Sequence, residues 1–149
     1  MTSSKVLPME KTLATIAYGQ FQDATFMAAL ARLGSHKFKN PKTTFRVMKL
    51  TKAINKELND SQELFVKTLK EYAKLDDKGE FVPQDNKPGT YVIREEKVDE
   101  WKIAFNEFKV IEPSLHRKKL SLDELEDFTT SAVEMNGMSK LIDFGDLED

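Results

Sequence analysis

The chain has no cysteine, which removes disulfides, thiolate metal sites and cysteine nucleophiles and fits a reducing compartment. Histidine is almost missing too: His36 and His116 are the two imidazoles in 149 residues. Both lie in basic, polar stretches outside any motif of nucleophile, base and orienting group, and both read as surface residues. No apolar run approaches the ~18 residues of a membrane span, and residues 1–9 lack the apolar stretch of a signal peptide. The six glycines are scattered, and none precedes a Lys-Ser or Lys-Thr pair in a phosphate-loop pattern. Asp76, Asp77, Glu80 and Asp85 surround Gly79, but the glycine is the fourth residue from Asp76, where an EF-hand needs it at about the sixth. These absences leave no expected catalytic residue, cofactor or metal, no small-molecule substrate and no membrane span.

What is present suits one globular domain over residues 1–149, with 1–8 and 138–149 as tails. The chain is 40% apolar and 32% charged, and at this length it can bury about 68% of its unfolded surface without staples. Residues 1–56 hold 10 basic and 2 acidic side chains, 57–119 hold 12 and 14, and 120–149 hold 1 and 9. A basic head is thus followed by an acidic end, a segregation that suits nucleic acid, a charged partner or a head that docks on its own tail.

Apolar spacing predicts a mainly α fold. Leu13, Ile16, Ala17, Phe21, Ala24 and Met27 recur at three and four and predict one helix over 9–33, with Gly34 as a left-handed stop. Asn40-Pro41 predicts the start of a second helix over 42–75, about 50 Å long, folded back on the first as a helical hairpin. Its marked face is Val47, Ile54, Leu58, Phe65, Leu69 and Tyr72. Val98, Trp101, Phe105 and Phe108 predict a helix over 95–109 that packs near Phe65, Leu69 and Tyr72 and carries the best-buried rings. Glu95, Glu96, Asp99 and Glu100 open that helix, where acids favour the dipole.

Between these helices, Phe81-Val82-Pro83 and Tyr91-Val92-Ile93 flank a polar turn. They predict a small β-hairpin, which 110–113 would extend to a three-stranded element. Ser121-Leu122-Asp123-Glu124 matches a capping box and predicts a C-terminal helix to about Met135, with Leu122, Leu125, Phe128 and Ala132 inward and Asn136-Gly137 as its end.

In this order the parts resemble a group of small phage-encoded helical proteins of unassigned function. The resemblance is one of pattern over roughly 42–147, carried by Lys70-Glu71-Tyr72-Ala73-Lys74, Asp76-Asp77-Lys78-Gly79-Glu80, Tyr91-Val92-Ile93 and Leu120-Ser121-Leu122-Asp123-Glu124-Leu125. It implies a phage origin, a place in the host cytoplasm or virion without a signal peptide, and no catalytic residues.

The electrostatic feature that stands out is 36–56, which has seven Lys and Arg and no acid, with Phe38 and Phe45 among them. On a helix, Lys42, Arg46, Lys49, Lys52 and Lys56 share one ridge, where like charges repel by a few tenths of a kcal/mol per pair. Phosphates, an acidic partner or the acidic last thirty residues would compensate, and so would solvent. Leu141, Ile142, Phe144 and Leu147 among the terminal acids predict an acidic peptide with apolar anchors, docked beside the ridge or on a neighbouring subunit. The expected function is that of a non-enzymatic, phage-type structural or assembly protein acting through contacts with other phage proteins or with itself as a homo-oligomer. The alternative is a nucleic-acid-binding accessory protein that uses the basic ridge at 37–56.

Overall fold

Residues 14, 16 and 18 are buried in turn while their neighbours are half-buried, the period of a strand rather than a helix. In the computed structural model, which describes residues 13–145, the stretch expected as one helix over 9–33 is therefore divided. β1 (Leu13–Thr15) comes first, then a 3-10 turn over Tyr18–Gln22, then α1 (Ala24–Ser35). Asp23 starts α1: its carboxylate accepts the N–H groups of Thr25 and Phe26 at 3.0 and 3.3 Å. The buried face of α1 is Phe26, Ala29, Leu30 and Leu33, whereas Ala24 is exposed and Met27 half-buried. Gly34 is helical, and α1 ends at Ser35 with His36 extended.

α2 (Pro41–Leu69) begins as the sequence indicates, with the Asn40 side chain accepting the N–H of Lys42 and proline in the first turn. It packs against α1 in a hairpin-like pair and buries Thr43, Val47, Leu50, Ile54, Ser61 and Leu69. It ends at Leu69, short of Leu75, because the backbone beyond is claimed by two other segments. Lys74 N–H donates to Val92 O at 2.8 Å, Arg94 N–H to Tyr72 O at 2.9 Å and Val82 N–H to Lys74 O at 3.1 Å. Ala73 bridges Ile93, and Leu75 bridges Phe81. The two β-prone runs thus pair with 73–75 between them, not with each other. The Arg94 guanidinium also donates to the carbonyls of Glu71 and Tyr72, placing a cation just past the helix C-terminus.

A short 3-10 turn over Glu95–Lys97 leads into α3 (Val98–Lys109). Its Trp101 joins Leu69 and Ala73 in a second apolar cluster, with Phe65, Tyr72, Tyr91 and Phe105 packed around it. The expected partners meet, but these rings are not the best buried: Trp101 is 9% exposed and Phe26, in the main core, 1%.

The chain after α3 does not extend the element around 73–93. β2 (Ser114–Lys118) returns to pair antiparallel with β1, Leu13 opposite Lys118 and Thr15 opposite Ser114. Two residue steps of β1 thus face four of β2, an irregular bulge centred on His116, whose φ of 54° is left-handed.

β3 (Leu120–Ser121) follows. Ser121 and Glu124 exchange the hydrogen bonds of a capping box, yet 122–127 remain a series of turns. The C-terminal helix, α4 (Ala132–Gly137), is shorter than expected and starts under a box of its own, Ser131 with Glu134. Leu125 and Phe128 point inward as expected, Leu122 is half-buried, and Ala132 is exposed. β4 (Ile142–Asp143) pairs parallel with β3. The main core gathers α1, the first half of α2, both strand pairs and the C-terminal segment around Phe26, Leu33, Leu50, Ile54, Leu120 and Leu141. No helix among the described residues is long and apolar enough to cross a membrane.

Candidate nucleic-acid interface

With Thr43, Val47, Leu50 and Ile54 of α2 turned to the core, the 3.6-residue period places Lys42, Lys49, Lys52 and Lys56 on the opposite, outer side. Lys42, Lys52 and Lys56 are exposed, and Lys49 is half-buried with its ammonium 5.2 Å from the centre of the Phe45 ring. Arg46 is set apart from these. Its guanidinium pairs with Glu124 and donates to the carbonyls of Lys118 and Lys119, at 3.3 and 3.0 Å. Burial opposes the charge on Glu124, but the Ser121 N–H and the Arg46 guanidinium outweigh it and hold the carboxyl below its ordinary range. Arg46 is a clamp between α2 and the end of β2.

That clamp brings the cations Arg117 and Lys118 to the ridge. They and the neighbouring His116 are exposed and, with Phe45, Arg46 and Lys49, line a groove of about 290 Å³ between α2 and the β2 bulge. The run His116-Arg117-Lys118-Lys119 is visible in the sequence, but its place beside α2 depends on a pairing of β2 with β1 that no local pattern reports. Among the described residues, Arg46 is the member of this face that forms an ion pair within 4 Å with an acid. Two large apolar groups, Phe45 and Met48, are about half exposed on the same outer side of α2.

The expected apolar anchors at the C-terminus lie elsewhere. Met138, Leu141 and Ile142 are core residues no more than 2% exposed, and Phe144 packs against the same core. This burial leaves Leu141 and Ile142 no surface for docking in a groove, and 138–145 is no loose tail. Three further ties hold the segment: Gln20 Nε2 donates to Gly137 O at 2.9 Å, Leu120 N–H to Leu141 O at 2.9 Å, and Lys140 pairs with Glu112. Leu147 and residues 1–8 lie outside the described residues.

The remaining sequence candidates have structural settings. His36 is half-buried rather than on the surface, edge-on to Phe38 and Phe128 with Asp127 Oδ2 3.6 Å from Nε2. Asp76 accepts the N–H groups of Lys78 and Glu80, at 2.8 and 3.0 Å, and so closes the turn at Gly79. No group of three His, Asp or Glu among the described residues could hold a metal ion. The chain matches no protein-family model, no curated protein and no solved structure.

Proposed function

We propose that this is a non-enzymatic binding protein whose working surface is the basic face of α2 and the β2 bulge, and that its partner is nucleic acid. The observation that carries this reading is the convergence of two basic runs, far apart in sequence, on one groove where the described acids neutralise only Arg46. Uncompensated like charges repel, and a phosphate backbone relieves that repulsion while releasing its own counterions. Among the described residues, the expected anchors Leu141, Ile142 and Phe144 are already engaged by the main core rather than free to dock over the ridge. Binding through about five cations predicts a log affinity that falls with log salt at a slope of about −3.5 for single strands and about −4.5 for duplex. Titrating labelled oligonucleotides across a salt series tests it, and no binding at about 50 mM salt would remove the reading.

A second reading, a phage-type structural or assembly protein working through protein contacts or self-association, draws on a different surface. Ile103 of α3 and Val110 at its C-terminal cap are 62% and 74% exposed. Sedimentation of the wild type beside an Ile103→Lys, Val110→Lys double variant tests it, with assembly lost in the variant as the supporting result.

A further inference from the structure

The groove holds an aromatic ring as well as cations, and this distinguishes two kinds of nucleic acid. Phe45 is 55% exposed. On the helix it stands three residues after Lys42, four before Lys49 and seven before Lys52, so it is set amid the ridge cations rather than at their edge. One side of the groove is the α2 face carrying Phe45, Arg46 and Lys49; the other is the bulge carrying His116, Arg117 and Lys118. The bulge depends on His116 in the left-handed region, a conformation that a non-glycine residue adopts at a cost, and its amide is tied back by donating to Ser114 Oγ at 3.1 Å.

From this arrangement we infer that the groove takes single-stranded nucleic acid, with Phe45 as the platform on which a base stacks while the cations on either side follow the phosphates. The inference rests on the nucleic-acid reading above and deepens it. A duplex keeps its bases paired within the stack and has no ring face to offer Phe45, whereas each base of a single strand does. A flat basic surface would satisfy duplex phosphates equally well; a concave one with an exposed ring in it favours the strand. The ammonium of Lys49 lies over the ring, 5.2 Å from its centre, and Phe45 still leaves 55% of its surface open to solvent.

The test uses the full chain, an oligothymidylate of about 12 nucleotides and a duplex of the same length. Phe45 is largely solvent-facing, so its replacement leaves the fold intact, which circular dichroism checks. Phe45→Ala is expected to weaken oligothymidylate binding by about 5- to 150-fold with the salt slope and duplex affinity unchanged, and Phe45→Trp to restore it with the new indole quenched on binding. Unchanged oligothymidylate affinity in Phe45→Ala, or an equal loss on the duplex, would overturn the stacking role while leaving the nucleic-acid reading in place. Failure of the wild type to bind either oligonucleotide would overturn both. Phe45-dependent binding to vesicles containing about one-third phosphatidylserine, without oligonucleotide binding, would assign the face to an anionic membrane surface instead and overturn both as well.

Discussion

Phe65 of α2 and Trp101 of α3 meet edge to face with ring centroids 5.8 Å apart. Around this pair, Phe105 and Phe108 stand 6.2 and 5.6 Å from Phe65, and Tyr72 stands 5.9 Å from Trp101. Tyr18 continues the chain of rings at 5.5 Å from Phe108, linking the aromatic cluster to the N-terminal turn. The second half of α2 therefore packs on a cluster made largely of rings, whereas the first half packs on the main core.

Removing the indole should cost about 3 to 5 kcal/mol, because Trp101→Ala empties the middle of a cluster that is small and has few ways to collapse. Denaturant unfolding checks this. A loss under about 1 kcal/mol would mean that α3 is held by something other than these rings.

Leu141→Ala should cost about 2 to 5 kcal/mol, and deletion of 138–149 should unfold the protein rather than merely release a tail. Leu141 is fully buried, and its carbonyl receives the N–H of Leu120 just where β3 and β4 pair. Circular dichroism melts of both variants provide the measurement; a folded deletion variant would contradict the burial of this segment.

Acid should weaken the link between α1 and α4. The Arg32 guanidinium and the Ser131 N–H hold the Glu134 carboxyl down to about 2 from its ordinary 4.5. Arg32 also donates to Thr129 O and covers the Phe128 ring, centroid 5.3 Å away. A carboxyl with a lowered folded-state pKa stabilises above its unfolded value, and the contribution is lost as pH falls toward the folded value. The window is therefore between about pH 4.5 and 2. Glu112 shifts the same way, through its hydrogen bonds from Lys140 and Thr15. Glu134→Gln should lower stability at neutral pH and flatten the loss across that window, as followed by unfolding at a series of pH values.

Lys49→Glu with Lys52→Glu should weaken binding to duplex and single strand alike and make the salt slope shallower by about 1.4 units for the single strand and about 1.8 for the duplex, since two phosphate contacts are removed. Both residues lie on the outer side of α2, and stability should change by less than about 1 kcal/mol. Fluorescence anisotropy over a salt series reads the slope. A slope equal to that of the wild type would place the contacts elsewhere.

What the sequence by itself determined was local. Asn40-Pro41 opened α2, and the 3-4-3 spacing of Val98, Trp101, Phe105 and Phe108 described α3 and the face it buries. The outer placement of Lys42, Lys49, Lys52 and Lys56 was equally legible, since helical period alone sets it, whereas Arg46 turns aside to pair with Glu124. Tertiary structure decided the rest, where backbone hydrogen bonds to distant segments outweighed local periodicity. Leu13, Ile16 and Ala17 fit a helix by spacing, yet β1 is a strand because β2 lies beside it a hundred residues later. Residues beyond Leu69 fit α2, yet 73–75 are extended between 80–82 and 92–94. The terminal acids disguised Leu141 and Ile142 as tail residues, although β4 pairs with β3 and buries both. The groove follows the same rule: the cations of 117–119 reach α2 through the long-range β1–β2 pairing and the Arg46 clamp, and neither has a signature within a few residues of chain.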